Sequence, residues 1–141
     1  MTLPSNRITL VTLAVKDLDR SRAFYEALGW IVEEATPDAV FFDMMGQKFG
    51  LYRWEMLAKD LDAVPDKLGT GAMSIAQNQP SKAEVDRAYA HARQCGAVAC
   101  KPPEEVFWGG YSGTFRDPDG HVWEVAFNPF WTLDTQGRIA T

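Results

Sequence analysis

Glu124 lies in the run Trp123-Glu124-Val125-Ala126-Phe127, a carboxylate flanked by large apolar side chains. In a strand of that kind it is either a solvated surface charge or a group set inside a curved sheet. The second placement is costly without a metal, an Arg or a ligand as partner. Other candidate chemistry is sparse. His91 falls at a helical position and His121 flanks a turn, and both read as solvated or hydrogen-bonded side chains. Cys95 and Cys100 are too few for a disulfide framework or a four-thiolate zinc site, and are expected to pack as small apolar residues. There is no phosphate-binding glycine loop, no nucleophile elbow and no HExxH. The pair Gly109-Gly110 reads as a bulge or a close approach of backbone.

The elements around Glu124 follow from the turn before it. Arg116-Asp117-Pro118-Asp119-Gly120-His121 separates two strand-like runs. Pro118 suits the second position of a type I turn and Gly120 the left-handed position after it, which makes a three-residue hairpin loop. That loop sets Asp117 opposite His121, Phe115 opposite Trp123, and Gly113 opposite Val125. Opposed residues share a face. Phe115 and Trp123 then belong to a helix-covered face, while Trp108, Ser112, Thr114, Val122, Glu124 and Ala126 line the other.

Residues 8–15 are apolar and β-branched and read as a buried strand. Asp17 caps a helix whose apolar face is Leu18, Ser21, Phe24, Tyr25 and Leu28, and Gly29 ends it. Short strands follow near 30–35, 39–44 and 47–54. Residues 55–69 form a connector in which Glu55 to Ala63 can make a short helix, stopped near Pro65. The order then repeats. A strand at 70–78 precedes a helix opened by the capping box Ser81-Lys82-Ala83-Glu84. Its apolar face is Val85, Ala88, Tyr89, Ala92 and Cys95, and Gly96 ends it. Strands near 97–101, 107–116 and 121–128 complete the second half. The expected fold is α+β: one domain over 1–141, with βαβββ modules at 7–54 and 70–128, the connector 55–69 between them, and a tail at 129–141.

With 141 residues the chain can bury a core without staples. No 18-residue apolar run is present, so no membrane span is expected. Met1 to Arg7 lacks the layout of a secretory signal, which points to the cytoplasm. A net charge of -5 without a basic cluster argues against nucleic acid as partner. Aromatic residues crowd the last third: Phe107, Trp108, Tyr111, Phe115, Trp123, Phe127, Phe130 and Trp131. Some can form core and others the wall of a ligand pocket.

The two βαβββ halves, the run from Val15-Lys16-Asp17-Leu18 through Phe24-Tyr25 to Leu28-Gly29, and Asp117-Pro118-Asp119-Gly120-His121-Val122-Trp123-Glu124 resemble the vicinal oxygen chelate superfamily. That family includes glyoxalase I, bleomycin-resistance proteins and extradiol dioxygenases. The resemblance covers roughly residues 7–129. It implies that each half curls into a curved mixed sheet, and that a divalent metal in the resulting cup chelates adjacent substrate oxygens. The family's ligand positions fall on Leu10, Ala72, Leu51 (with Arg53 next on its face) and Glu124. Only Glu124 can donate, so neither a metal nor another cofactor is expected, and a divalent ion stays the minority alternative.

Three functions compete. The first is a glyoxalase-like small-molecule-binding protein whose cup is lined by Thr12, Ser74, Trp108, Ser112, Thr114 and Glu124. The second is a lyase, isomerase or dioxygenase of the family, working through a metal or with Glu124 as general base. The third is an interaction role using Phe130-Trp131. A homodimer is expected, as the family commonly forms one, with Trp30, Phe130 and Trp131 as spare rings.

Overall fold

A computed structural model describes residues 6–140. The chain divides into two compact units, one up to Leu68 and one from Gly69 onward. The first contains β1 (Leu10–Val15), α1 (Leu18–Leu28), β2 (Val32–Ala35), β3 (Ala39–Asp43), β4 (Lys48–Arg53), α2 (Trp54–Asp60) and a single 3-10 turn at Pro65–Lys67. The second contains β5 (Ser74–Asn78), α3 (Lys82–Gln94), β6 (Val98–Glu105), β7 (Tyr111–Arg116) and β8 (Val122–Phe127). The sheet orders are β1-β4-β3-β2 and β5-β8-β7-β6. In each, the first strand runs parallel to the last and the other pairs are antiparallel. The α+β class and the doubled βαβββ order read from the sequence are therefore present. Register shifts in β2 and β6 interrupt the outer ladders, and such bulges bend a strand.

Both long helices start and stop where their caps dictate. The Asp17 carboxylate accepts the Arg20 N–H at 3.0 Å, and Gly29 ends α1 at a φ of 108°. The Ser81 hydroxyl accepts the Glu84 N–H at 3.2 Å. The capping box closes only on that side, because the Glu84 carboxylate pairs with Arg87. α2 is shorter than expected, since Asp62 takes a left-handed φ of 53° and turns the chain.

Alternation along the strands divides each sheet into a helix side and an open side. In the first unit Leu13, Val15, Val40, Phe42, Phe49 and Leu51 are buried, as are Ser21, Phe24 and Tyr25 of α1. The Tyr25 ring centroid lies 5.3 Å from Phe49 and 4.9 Å from Trp30. Trp30 also meets Phe42 and Phe49 edge-on. It is part of the core cluster and not a spare ring. In the second unit Val85, Tyr89 and Ala92 of α3 are buried together with Phe115, Trp123 and Val125. The Tyr89 hydroxyl donates to the Thr114 carbonyl at 3.1 Å. Cys95 is half-buried, whereas Cys100 is exposed on β6 and does not pack as a core residue.

The β7–β8 hairpin has the register expected from its turn: Gly113 opposite Val125, Phe115 opposite Trp123, and the Asp117 N–H on the His121 carbonyl at 2.9 Å. Asp117 is 2% exposed, and its Oδ1 accepts the N–H groups of Asp119 at 3.0 Å and His121 at 2.9 Å. We expect Asp117→Ala to strip both donors of their acceptor and to cost about 2–3 kcal/mol, read as a lowered midpoint in chemical denaturation. Asp117→Asn, which keeps one acceptor oxygen, should recover part of the loss.

Candidate functional site

Glu124 projects from the open side of β8, opposite Thr114 on β7 and Ala76 on β5. It is half-buried. Ser112, opposite Ala126, and Ser74, opposite Val122, share that side. The second sheet thus brings Glu124 together with Thr114 and Ser112, and Ser74 stands exposed at the start of β5. Among the described residues the Glu124 carboxylate takes part in no ion pair. Nearby cations are committed elsewhere: Arg116 donates to the Gly120 carbonyl at 3.0 Å, and Lys101 pairs with Glu104 on the same side of the sheet. In the first unit Arg53 pairs with Asp38 at 3.3 Å.

Trp108 is not on a strand. The run 107–116 was expected to be extended, but β7 begins at Tyr111. Gly109 has a φ of 99° and its N–H donates to the Val106 carbonyl at 3.0 Å, turning the chain. The Trp108 ring folds back over Gly110, so that a Cβ there would lie 1.9 Å from it. Close approach is thus the reason for a glycine at 110. Trp108 is 39% exposed on that turn, beside Phe107 and near Phe130, whose ring reaches Gly109.

In the first unit the open side carries Leu10 and Thr12 of β1, Phe41 of β3, and Gly50 and Tyr52 of β4. Leu51, taken from the sequence as facing the cup, is fully buried on the helix side. The sequence puts the ligand position at or near Leu51, and the register gives the open side to its neighbour Gly50, since one residue reverses the face of a strand. Gly50 sits opposite Thr12 and Phe41, as Glu124 sits opposite Ala76 and Thr114. A Cβ at Gly50 would come within 3.1 Å of the Phe41 ring. Where the second sheet has a carboxylate, the first has an aromatic ring lying over bare backbone.

A cleft of about 340 Å³ opens on this side, lined by Leu10, Thr12, Ala39, Phe41, Leu51, Tyr52, Leu57 and Asp60. Its far wall comes from α2, anchored by the Trp54 Nε1–H on the Pro65 carbonyl at 2.9 Å and by Lys16 over the Trp54 ring. The Tyr52 phenol is pushed above its ordinary range by burial first, then by the charge of Asp60 and hydrogen bonding to it. Phe41, Tyr52 and Asp60 were missed from the sequence. The alternation of Phe41 and Tyr52 with the buried Val40 and Leu51 was an available signal, but nothing local marks Asp60.

The donor set does not fit the divalent centre that the resemblance implies. Such a centre needs about three or four N, O or S donors. Ala72, expected from the sequence at one of these positions, lies ahead of β5, and in register the positions carry Leu10, Ser74, Gly50 beside Leu51, and Glu124, of which only Glu124 is a strong donor. Among the described residues no three His, Cys, Asp or Glu side chains gather closely enough to hold an ion. His91 is exposed on α3, with its Nε2 3.7 Å from the Cys95 sulfur.

These units, mixed four-stranded sheets with a helix packed on one side and an open face on the other, define a class of paired βαβββ proteins. The sequence model of the Glyoxalase/Bleomycin resistance protein/Dioxygenase superfamily matches residues 7–125, and the chain belongs to that family. Among solved structures it is similar to a glyoxalase-related enzyme from Fulvimarina pelagi, with 28% identity, a TM-score of 0.88, and coverage of 97% of this chain and 99% of that one. It is also similar to a lactoylglutathione lyase from Agrobacterium tumefaciens, with 25% identity, a TM-score of 0.72, and coverage of 93% and 100%. A glyoxalase/bleomycin resistance protein/dioxygenase family enzyme from Burkholderia phytofirmans PsJN shares the fold at 20% identity, with a TM-score of 0.76 over 84% and 96% of the two chains. No curated protein matches the chain.

Because Glu124 has no ion pair to lose, we expect Glu124→Gln to keep the thermal midpoint or raise it. A clear drop in the melt would instead reveal a structural partner and count against Glu124 as a ligand anchor.

Proposed function

We propose that this chain is a small-molecule-binding member of the glyoxalase family that works without the family's metal centre. The observation that carries this is the substitution of donors by apolar groups and rings. Leu10 stands at a ligand position, its register counterpart in the second sheet is the neutral Ser74, and Gly50 under the Phe41 ring occupies the place that corresponds to Glu124. Apolar walls with a few polar anchors are what small-molecule pockets require. Here the walls are Leu10, Phe41, Leu57 and the Tyr52 ring, and Thr12 supplies a hydroxyl. On the second sheet Glu124, Ser112, Thr114 and Ser74 offer acceptors and hydroxyls, with Trp108 as an exposed ring on the adjoining turn. Glu124 is the proposed polar anchor for a cationic or hydrogen-bond-donating ligand, and Glu124→Gln should weaken such a ligand by about 1–3 kcal/mol.

A lyase, isomerase or dioxygenase is the second reading, favoured by the likeness to the lactoylglutathione lyase and the glyoxalase-related enzyme. Metal content separates the two. Elemental analysis of protein purified without chelator should find far less than one zinc, nickel, iron or manganese per chain, and a stoichiometric ion would promote the enzyme. No described helix is long and apolar enough to cross a membrane. The cytoplasm remains the proposed compartment and a homodimer the proposed assembly. The support for the dimer is exposed apolar surface at Ile31, Phe107, Phe130 and Trp131, of which Ile31 is 85% exposed and Phe130 75%. Light scattering should give twice the mass of one chain, and a monomer at every concentration would overturn that assignment.

A further inference from the structure

We propose that the cleft beneath α2 in the first unit is a subsite for the ammonium group of a small amine, with Asp60 as its acceptor and the rings of Tyr52 and Phe41 as its apolar seat. This deepens the small-molecule reading and rests on it, but the subsite is distinct from Glu124. The cleft is apolar along Leu10, Ala39, Phe41 and Leu57, and polar only at Thr12, Tyr52 and Asp60. Its one formal charge is therefore negative. Among the described residues Asp60 takes part in no ion pair, while the nearby cations are held elsewhere, Arg53 on Asp38 and Lys16 over Trp54. Asp60 and Tyr52 both line the cleft, and the charge of Asp60 and hydrogen bonding to it are among the causes that raise the phenol.

The ring geometry adds a second preference. Gly50 lets the Phe41 ring pack closely over β4, where a Cβ would come within 3.1 Å of the ring and force it to give way. The Phe41 and Tyr52 side chains line the cleft together with that acceptor. A cation over an aromatic face gains from the ring quadrupole, and a carboxylate next to it adds to that gain. An anionic ligand meets the reverse field. A volume of about 340 Å³ suits a ligand with a single ring.

The test is an NMR titration of the full-length protein at neutral pH and low salt with 2-phenylethylamine, 2-phenylethanol and 3-phenylpropanoate. The amine should bind roughly 3–10-fold more tightly than the alcohol and the carboxylate most weakly. Shifts should centre on Thr12, Phe41, Tyr52 and Leu57. Asp60→Asn should bring the amine down to the level of the alcohol without changing the alcohol. Glu55→Gln, an exposed change on the same helix outside the cleft, should leave the ratio intact. Equal affinity of amine and alcohol, a ratio that survives Asp60→Asn, an equal collapse with Glu55→Gln, shifts elsewhere, or no shift up to the solubility limit would each overturn the subsite. These outcomes are separable from the broader reading. A stoichiometric metal would overturn the metal-free function while the Asp60→Asn ratio still decided the subsite, and probes that shift only residues around Glu124 would sink the subsite alone.

Discussion

The buried carboxylate of Asp117 is the constraint on which the second unit depends. The backbone N–H groups of Asp119, inside the Pro118-Asp119-Gly120 loop, and of His121, just after it, close on one oxygen of this side chain. The loop can therefore have one length and one hand, and a hairpin loop of fixed length admits one register. That register sends Phe115, Trp123 and Val125 under α3 and leaves Thr114 and Glu124 on the open side. A slip of one residue would drive Glu124 into the helix-covered core and expose Trp123, so the turn and the apolar face enforce the same answer.

The two units use one topology for opposite chemistry. Each pairs its first strand in parallel with its last, so the middle of the last strand is flanked on both sides and backed by a helix. A residue there is held rigidly. In the second sheet that residue is Glu124; in the first it is Gly50, which hands the space to Phe41. The scaffold fixes position, and the side chain sets whether the position offers charge or a flat surface. Family membership thus fixes the fold and not the chemistry, because donor types, not strand order, decide what a site can hold.

Much of the architecture was legible because local chemistry determined it. Asp17 and Ser81 capped their helices, Gly29 and Gly96 ended them, and the Asp117–Gly120 loop fixed a register without reference to the rest of the chain. The errors fell where local patterns were silent or two-sided. β4 is apolar on both faces, Phe49 and Leu51 inward and Gly50 and Tyr52 outward, so periodicity could not assign its parity and Leu51 was placed on the wrong side. Trp108 looked like strand because aromatic residues favour strands, but Gly109 at a positive φ overrode that preference. The open-side placement of Ser112, Thr114 and Glu124 on the second sheet, and of Thr12 on the first, was legible from alternation. Asp60 was not, since it reaches the open side only through the docking of α2 back on β4, which it follows directly, and on β1, which is far from it in sequence.

That docking also bears on how the first unit selects among ligands. An exposed carboxylate in water contributes little by itself, because solvent screens it and ordering the partner costs entropy. Asp60 is itself exposed, so what it adds depends on the apolar wall of Leu57 and Tyr52 beside it and on the hydrogen bonding it shares with the phenol. The net charge of -5 adds a general bias of the same sign, though salt limits its reach to about 10 Å. Discrimination between cation and anion therefore has to come from groups within that distance. In the first unit α2 supplies one, which makes a helix absent from the repeated βαβββ plan the element that distinguishes the open face of one half from that of the other.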